Sequence, residues 1–376
     1  MPRQIIVGID IRDLKIAKTG QKTTLEELCK EFKELEGPEF SFRFFESAVA
    51  GYTGKNKILI AWGHFNLHFW KQVILPYKAW RNRCDIIFCV DYFVPYFHFG
   101  YKTVQIFHDA FFFEYPQHYN KLWLYLFKAL AIPAARKSSI IVVPTNYALD
   151  KIHQHTHFPK QKLVTVYEGP KSLTVAPVTK DKPNWFDKIE GKNYLLHVGV
   201  IEKRKNLPML IRSFKKLVDA GYEDYKLVLV GEGSGKLNSD DTFEVHQTIR
   251  ECQLGNHVIL LGYLPDEELS LVYSNAIMYV FPSYNEGFGI PILEAFKFNL
   301  PALVADSSSL PEVGADAVLT FNPHDANDMY LKIKLIVDSD TLRAELIAKG
   351  KKRLEYFSWK KAANQLTGIF KQALLT

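Results

Sequence analysis

The stretch at residues 281–294, Phe-Pro-Ser-Tyr-Asn-Glu-Gly-Phe-Gly-Ile-Pro-Ile-Leu-Glu, constrains the fold more than any other part of this sequence. The apolar run at residues 276–281 predicts a buried strand, and Pro291 stands where a helix would begin. Gly287 and Gly289 lie in the turn between them, where the backbone can approach a ligand because no side chain intervenes. A strand, a glycine-containing loop and a helix N-terminus together form an arrangement that binds phosphate.

Two carboxylates, Glu286 and Glu294, bracket this glycine-containing loop. A carboxylate in an anion site needs a second explanation, because it repels the anion. The ligand must also bring hydroxyl groups, or its reaction must build positive charge nearby. A sugar nucleotide satisfies both conditions, since it carries ribose and sugar hydroxyls and develops positive charge at a sugar carbon.

The rest of the chain alternates between short apolar runs and segments with helical periodicity, in two successive series. Strands are predicted at residues 4–11, 40–45, 57–62, 85–90, 103–107, 139–143, 194–198, 226–230, 258–261, 276–281, 301–305 and 317–321. Helices are predicted at residues 24–35, 122–135, 207–220, 266–275 and 360–374. The two series predict an α/β protein with two doubly wound, Rossmann-like parallel sheets in domains that face each other across a cleft.

An irregular stretch separates the two series, with Gly169-Pro170 and Pro177 among its helix and strand breakers. The predicted boundaries are an N-terminal domain at residues 1–172, a linker at 173–192, a C-terminal domain at 193–356 and a final helical segment at 357–376.

Composition is that of an ordinary soluble globular protein, with 47% hydrophobic and 23% charged residues. No apolar run approaches the roughly 18 residues that a membrane-spanning helix needs. The first residues lack the apolar core of a signal peptide. The four cysteines have neither zinc-ligand spacing nor the pattern of a disulfide framework. These features predict a cytoplasmic protein.

Positive charge is concentrated in the first half of the chain. Residues 1–170 contain 22 Lys and Arg against 15 Asp and Glu, whereas residues 171–376 contain 25 against 26. Within the first half, residues 62–80 are aromatic and basic and predict either an ordinary helix or a surface that touches lipid. A basic, aromatic surface can bind nucleic acid or an anionic bilayer, and it is also compatible with a solvated face above a Phe-rich core. Because no nucleic-acid-binding motif is present, we predict no nucleic-acid partner and favour peripheral contact with the inner face of the membrane.

With Gly-Phe-Gly-Ile-Pro between its two glutamates, the chain resembles the retaining, nucleotide-sugar-dependent glycosyltransferases of family four, the group 1 type with a Glu-x7-Glu motif and the GT-B fold. Matching segments in the C-terminal half are 197–199, 203–207, 229–233, 261–265, 286–294 and 307–314. The N-terminal half matches more loosely, at residues 8–10, 19–20 and 108–109. The resemblance implies that the N-terminal domain binds the acceptor and the C-terminal domain the nucleotide sugar. It also implies that the last helix returns toward the N-terminal domain.

The resemblance assigns the two glutamates to different parts of the donor. Glu294 would accept the ribose hydroxyls, and Glu286 would face the transferred sugar and stabilise positive charge at its anomeric carbon. Arg204 and Lys205 would hold the diphosphate, because fixed cations offset the charge that builds on a departing phosphate. His108, at the end of a predicted strand, would contact the donor sugar. The implied catalytic residues are Glu286, His108, Arg204 and Lys205.

A larger set of residues is implied to bind the donor. The set is Gly20, Gly199, Arg204, Lys205, Gly231, Gly233, Tyr263, Glu286, Gly287, Phe288, Gly289, Ile290 and Glu294. Gly20 would close over the diphosphate, and the backbone N–H groups of residues 287–289 would face the sugar and phosphate. The sequence departs from the family where Val200 replaces a frequent arginine, and where Gln21-Lys22 follows the N-terminal glycine. Arg204 is therefore expected to be the sole arginine at the diphosphate.

The predicted function is retaining, metal-independent hexosyl transfer from a GDP- or UDP-linked sugar to a hydroxyl of a glycan or lipid-linked acceptor, in surface polysaccharide or glycolipid synthesis. The resemblance implies a front-face mechanism, in which the leaving phosphate takes the proton of the acceptor, and no cofactor besides the donor substrate. A GT-B epimerase or phosphorylase and a non-catalytic nucleotide-sugar-binding protein are the alternatives. An oxidoreductase is disfavoured because the first strand is not followed by a dinucleotide-binding fingerprint.

Overall fold

The computed structural model describes residues 3–15, 20–47, 57–173, 183–236 and 238–376, and for residues 57–61, 64 and 122 it describes the backbone alone. Thr19 and residues 174–182 of the predicted linker, Pro177 included, lie outside the described residues. The chain forms two compact units. Unit 1 comprises Met1–Glu168 with Ser358–Thr376, and unit 2 comprises Gly169–Phe357.

Unit 1 is built on a six-stranded sheet in which every paired strand is parallel to its neighbour. Its strands are β1 (Ile5–Asp10), β2 (Phe40–Phe45), β3 (Ile86–Cys89), β4 (Lys102–Ile106), β5 (Ile140–Val143) and β6 (Leu163–Thr165), in the order β2-β1-β3-β4-β5-β6. Strands β3 and β5 are buried along their whole length, as expected in a parallel sheet covered by helices on both faces. The strand order reverses between β1 and β3. Such a switch point is where open parallel sheets bind ligands.

The first seven helices cover this sheet. They are α1 (Gly20–Glu34), α2 (Lys57–Phe69), α3 (Leu75–Arg81), α4 (Phe111–Glu114), α5 (Lys121–Leu126), α6 (Ile132–Lys137) and α7 (Asn146–Thr156). A π-helical turn at Trp70–Ile74 joins α2 directly to α3, and another at Phe127–Ala131 joins α5 to α6. A π-helical turn inserts one residue into a helix and thereby shifts which side chains point inward.

The predicted strand at residues 57–62 is wrong, because these residues are the first part of α2. A short apolar run is compatible with either a strand or a buried helix, and its length has to decide between them. The predicted strand ended at Trp62, but the helix continues through Gly63 to Phe69 and on to Arg81. Residues 57–81 therefore form one helix with a π-helical turn near its middle.

Unit 2 contains a second six-stranded, all-parallel sheet. Its strands are β7 (Asn193–Val198), β8 (Tyr225–Val230), β9 (Val258–Gly262), β10 (Met278–Phe281), β11 (Ala302–Ala305) and β12 (Val318–Phe321). Its helices are α8 (Leu207–Asp219), α9 (Thr242–Glu251), α10 (Asp266–Asn275), α11 (Ile290–Lys297), α12 (Leu310–Gly314), α13 (Ala326–Asp338) and α14 (Asp340–Leu354). The order β9-β8-β7-β10-β11-β12 is the 3-2-1-4-5-6 order of dinucleotide-binding folds, with its switch point between β7 and β10.

The last helix, α15 (Trp359–Leu375), follows unit 2 in the chain but belongs to unit 1. It packs against α1 and β4. The ring of Phe370 lies 6.0 Å from that of Phe32 in α1 and 5.4 Å from that of Phe88 in β3, measured between centroids. The core of unit 1 therefore contains side chains from both ends of the chain.

The other predicted strands are confirmed, with ends that differ by one or two residues. Strand β6 was not predicted, because it has only three residues at the edge of the sheet. Short 3₁₀ turns occur at Arg12–Lys15, Pro116–His118, Lys160–Lys162, Phe186–Lys188, Lys203–Lys205 and Ala315–Ala317. In the part of the chain that the structure describes, no helix has both the length and the apolar character needed to span a bilayer.

Candidate active site

Two loops meet at the switch point of unit 2, outside the carboxyl ends of β7 and β10. The loop after β7 contains the 3₁₀ turn at Lys203–Lys205, and the loop after β10 contains residues 282–289. The backbone N–H of Tyr284 donates to the carbonyl of Arg204 at 2.8 Å, so the loops are hydrogen-bonded to each other. Asn206 adds a second link, because its Nδ2 donates to the carbonyl of Pro282 at 3.2 Å.

Glu286 binds two cations through a single oxygen atom. Arg204 Nη1 and Lys205 Nζ each lie 2.7 Å from Glu286 Oε1. Burial by itself would raise the pKa of Glu286, but Arg204 and Lys205 outweigh it and lower that pKa to about 2. Lys205 and Glu286 are buried, whereas the side chain of Arg204 is 23% exposed. The structure thus brings these three predicted residues into contact.

Lys205 also contacts an aromatic ring. Its Nζ is 4.8 Å from the centre of the Phe281 ring, a cation–π distance. Burial lowers the pKa of Lys205, even though the Glu286 carboxylate favours the charged form. The buried ring of His197 also faces this region, and burial followed by the charge of Lys205 lowers the pKa of His197 to about 3. The neutral ring donates from Nδ1 to the carbonyl of Val280 at 3.0 Å.

Three serines after β11 hold the glycine-containing loop in place. Ser308 Oγ accepts the backbone N–H of Glu286 at 3.0 Å. Ser309 Oγ lies 2.9 Å from the carbonyls of both Glu286 and Phe288, and Ser307 Oγ donates to the carbonyl of Ser283 at 3.0 Å. The serine run lies in the segment at residues 307–314 that resembles the family, and these contacts explain why serines stand there.

The loop ends at Gly289, which adopts a φ of 110° at the N-cap of α11. A side chain here would be strained, and its Cβ would lie 3.0 Å from Leu310 Cδ2. Ile290 is the first residue of α11, and Pro291 occupies its first turn, as predicted. The first-turn N–H groups of this helix therefore begin directly after Phe288 and Gly289, where the sequence predicts the donor.

Glu294 lies on α11 and is buried. The hydroxyl of Tyr273 donates to Glu294 Oε2 at 2.6 Å, which fixes one carboxylate oxygen. Burial raises the pKa of Glu294, and the hydrogen bond from Tyr273 opposes this shift. Tyr273 was not predicted as a site residue, because nothing in the local sequence distinguishes it from a core tyrosine of α10.

The predicted glycines at the ends of β7 and β8 are in close contact. A Cβ atom on Gly231 would lie 2.0 Å from the carbonyl oxygen of Gly199, so only glycine fits there. A Cβ atom on Gly233 would lie 2.6 Å from Asp240 Oδ2, and that carboxylate accepts the backbone N–H of Gly235 at 2.8 Å. Tyr263, just after β9, exposes 71% of its surface. These residues share the carboxyl edge of one sheet.

In unit 1, the predicted residue Gly20 is the first residue of α1, and His108 follows β4. His108 Nε2 lies 2.8 Å from the carbonyl of Val90, to which it must donate, and Nδ1 lies 3.7 Å from Glu168 Oε1. Thr24 Oγ1 donates to the same Glu168 oxygen at 2.8 Å. Burial by itself would lower the pKa of His108, but Glu168 raises it above the ordinary value. Glu168 was missed by sequence reasoning because it is distant in sequence from both partners.

The switch point of unit 1 holds a buried ion cluster. Lys71 Nζ lies 2.7 Å from Asp10 Oδ2 and 2.5 Å from Asp91 Oδ1. Asp10, Asp91 and Cys89 are the one group of potential metal ligands within the described ranges, and the ammonium of Lys71 lies between the two carboxylates. Burial opposes the charge on Lys71, but the carboxylates outweigh it and hold the Lys71 pKa well above the ordinary value. Trp70 Nε1 also donates to Asp10 Oδ1, at 3.0 Å.

Comparison with known proteins assigns the chain to a family. Residues 179–353 match the family model described as glycosyl transferases group 1, and residues 20–170 match that of Glycosyltransferase Family 4. O-antigen chain mannosyltransferase B of Escherichia coli is 26% identical over 299 residues, which cover 78% of this chain and 77% of that protein.

Two solved structures are similar over nearly the whole chain. Sucrose-phosphate synthase from Thermosynechococcus elongatus has a TM-score of 0.75 and 16% identity, covering 98% of this chain and 99% of its own. HepE of Anabaena, in complex with UDP and glucose, has a TM-score of 0.71 and 16% identity, covering 98% and 100%. The chain has the GT-B fold and belongs to the group 1, family 4 glycosyltransferases.

Proposed function

We propose that this glycosyltransferase moves a hexose, with retention at the anomeric carbon, from a nucleotide-diphosphate sugar to a hydroxyl of a glycan or lipid-linked acceptor. Unit 2 binds the donor and unit 1 the acceptor. The observation that carries the proposal is the shared contact of Arg204 and Lys205 with one oxygen of Glu286, at the switch point of unit 2. The cations suit a diphosphate, and the carboxylate suits a sugar that develops positive charge.

The exposure of Arg204 supports a role in binding the diphosphate. Its guanidinium is oriented by two carboxylates, Glu202 Oε2 at 3.0 Å from Nε and Glu286 Oε1 at 2.7 Å from Nη1, and its partly exposed side chain offers a fixed positive charge to a phosphate. Lys205 and the first-turn N–H groups of α11 complete the positive surroundings. Together these groups offset the charge that develops on the leaving diphosphate. The proposed reaction therefore needs no metal ion and no cofactor besides the donor.

The acidity of Glu286 supports a front-face reaction. A carboxylate with a pKa of about 2 that is already bound to two cations is a weak nucleophile. It remains charged at any physiological pH, so it can stabilise positive charge at the anomeric carbon without forming a bond to it. In the proposed reaction the glycosidic bond to the diphosphate breaks. The acceptor oxygen then bonds to the same face of the sugar, and its proton passes to the leaving phosphate.

The remaining predicted residues take supporting roles in this proposal. Glu294, with one oxygen held by Tyr273, presents the other to the ribose hydroxyls. Gly199, Gly231 and Gly233 let the donor approach the sheet edge, and exposed Tyr263 is available to the nucleotide. In unit 1, Gly20 and His108 contact the diphosphate and the donor sugar.

The relatives suggest the class of donor and pathway. One is an O-antigen chain mannosyltransferase, and one solved relative contains UDP and glucose. We therefore propose a GDP- or UDP-linked hexose as the donor and surface polysaccharide or glycolipid synthesis as the pathway. A lipid-linked acceptor fits peripheral contact of basic unit 1 with an anionic membrane at its cytoplasmic face.

A thermal-shift screen of GDP-, UDP- and dTDP-sugars tests the donor assignment, because a ligand stabilises the state that binds it. One nucleotide series is expected to raise the melting temperature of the full chain, and Glu294→Ala is expected to weaken that shift. Transfer to a glycan acceptor is then followed with the matching donor, and the anomeric configuration of the product is read by NMR. Release of sugar 1-phosphate, or an inverted product, would contradict the proposal.

A further inference from the structure

The helix at residues 57–81 carries a row of large apolar side chains on its solvent side. The row is Trp62, Phe65, Phe69, Val73, Tyr77 and Trp80, each between 44% and 64% exposed. Their spacing of three or four residues puts them on one side of a helix. The rings of Phe65 and Trp62 stack at 5.5 Å, and those of Phe65 and Phe69 at 6.0 Å. We refer to this row as the aromatic face.

The opposite side of the same helix is anchored in unit 1. The π-helical turn makes consecutive residues Trp70 and Lys71 both point inward, where they bind Asp10 and Asp91. Turning the helix to bury the aromatic face would pull Lys71 away and leave two buried carboxylates unpaired, which is strongly destabilising. It would also expose the buried side chains of Trp70 and Leu75. The exposure of the aromatic face is therefore fixed by the ion cluster beneath it.

The charged residues near the aromatic face in the sequence are basic. No Asp or Glu occurs between Glu46 and Asp85, whereas this interval contains five Lys and Arg besides the buried Lys71 of the ion cluster. Two of them, Arg81 and Arg83, are exposed directly after Trp80. A positively charged rim around exposed aromatic rings matches the anionic headgroups and apolar interior of a bilayer surface.

A neighbouring loop extends this apolar surface. The backbone N–H of Tyr96 donates to Gln72 Oε1 at 2.8 Å, and Gln72 Nε2 donates to the carbonyl of Val94 at 3.0 Å. The loop is thus hydrogen-bonded to the helix. It carries Phe97 and Phe99, which are both strongly exposed. A monomer rarely exposes so many large apolar side chains in adjoining segments without a partner for them.

We propose that the aromatic face inserts into the headgroup region of an anionic bilayer, with the helix at residues 57–81 lying in the plane of the membrane. Trp62 stands near one end of the face and Tyr77 and Trp80 at the other, and Trp and Tyr are the side chains that favour the membrane interface. A second copy of the chain is the less favourable partner. It would bring two copies of the exposed Arg81 and Arg83 together, whereas an anionic bilayer offers them opposite charge.

Insertion differs from attraction by surface charge alone. Salt screens charges that are separated by more than about 10 Å at 0.1 M, but it does not remove the gain from burying aromatic rings. The inference specifies the membrane contact that the proposed function leaves general. Donor binding by unit 2 does not depend on it.

Vesicle flotation of the full-length protein tests the inference. The probes are vesicles of phosphatidylcholine alone and of phosphatidylcholine with phosphatidylglycerol, each at low and high salt. The double variant Phe65→Ser with Trp80→Ser removes one ring from each half of the aromatic face. The matched control is Phe243→Ser with Tyr356→Ser, since both side chains are exposed on unit 2.

The wild type and the control are expected to bind the anionic vesicles and to keep part of that binding at high salt. The aromatic-face variant is expected to lose roughly tenfold or more in partitioning at both salt concentrations, because two inserted rings are removed. Circular dichroism and the melting temperature are expected to match the wild type, since neither ring is buried.

Three results would overturn the inference. Equal partitioning of the aromatic-face variant and the control would exclude the face. Complete release of the wild type from the vesicles at high salt would show that surface charge alone holds it there. A wild-type dimer in sedimentation that the variant converts to monomer, without vesicle binding, would assign the face to a second copy. Stabilisation by nucleotide sugars, measured on the same proteins, reports separately on the proposed function.

Discussion

The two parallel sheets differ at the same topological position, the switch point of their strand order. Each sheet has a switch point where its strand order reverses, and each switch point holds cations paired with carboxylates. In unit 1, Lys71 and its carboxylate partners are all buried. In unit 2, the side chain of Arg204 is 23% exposed. A cluster of opposite charges is not by itself a binding site, and we propose a ligand-binding role for the exposed cluster alone.

The largest expected effect comes from the cluster of Arg204, Lys205 and Glu286 in unit 2. Glu286→Gln keeps the size of the side chain but removes the charge that is proposed to stabilise the sugar cation. We expect the rate of sugar transfer to fall by about 10³-fold, the scale seen when one fixed electrostatic group is removed from an active site. Steady-state kinetics with the donor found in the screen measure the loss. Unchanged circular dichroism would exclude unfolding as its cause, and retained activity would sink the assignment of Glu286.

The buried cluster of Lys71, Asp10 and Asp91 in unit 1 is expected to affect stability. Lys71→Met leaves Asp10 and Asp91 buried without their cation, which typically costs about 3–5 kcal/mol in the free energy of unfolding. Urea unfolding measures this change. The control is Lys160→Met, because Lys160 pairs with Asp150 on the surface of the same unit and such pairs contribute about 0–1 kcal/mol. Equal losses in the free energy of unfolding of the two variants would contradict the difference between buried and exposed ion pairs.

A smaller effect is expected from Tyr273, a buried residue that is proposed to position the donor-binding Glu294. Tyr273→Phe removes the hydrogen bond to Glu294 and leaves the ring packing intact. We expect the KM for the donor to rise by about tenfold, equivalent to roughly 1.4 kcal/mol, with little change in kcat. A fall in kcat at constant KM would instead connect Tyr273 with the chemical step.

The smallest expected effect concerns pH in unit 1. Burial opposes a charged His108, but Glu168 raises its pKa, and Asp13 and Asp109 also act on this ring. Because folding raises this pKa, the resulting stability is fully present below the unfolded value of about 6.5 and is lost as the pH rises through the folded value. Glu168→Gln is expected to lose about 1 kcal/mol at acidic pH and to approach the wild type at alkaline pH. Urea unfolding across pH measures the difference.

The control for this pH series is Glu46→Gln, an exposed carboxylate in unit 1 that pairs with Lys15. Its difference from the wild type should not vary over the range in which histidine titrates. If Glu168→Gln behaved in the same way as this control, the ion pair between Glu168 and His108 would be excluded.

How far the site could be predicted depended on the sequence distance between its parts. The segments at residues 203–207 and 286–294 are local motifs, and the structure brings Arg204 and Lys205 of the first into contact with Glu286 of the second. Glu168 and Tyr273 have no such signal. Each acts through a side chain elsewhere in the chain, and Thr24 lies 144 positions from Glu168. A sequence pattern cannot identify such a pair without the fold.

The fold, too, was predicted well where its signal is local in the sequence. Runs of four to six apolar residues bounded by turn residues gave eleven strands correctly, because burial in a parallel sheet demands continuous apolar sequence. The error at residues 57–62 lies in the helix at residues 57–81. In its described part this helix is apolar both at Trp70 and Leu75, which are buried in unit 1, and along the aromatic face. Apolar character normally marks the interior, so an apolar surface misleads any prediction that is based on periodicity.

The return of α15 to unit 1 has a consequence for how this protein is made. The core around Phe32 and Phe88 is incomplete until Phe370 is available, and Phe370 is synthesised after the whole of unit 2. On the ribosome, unit 2 can therefore finish folding first, although it comes second in the sequence. A gene fragment that ends at residue 168 would encode unit 1 without its last helix. Separate production of this unit requires residues 358–376 to be joined to it.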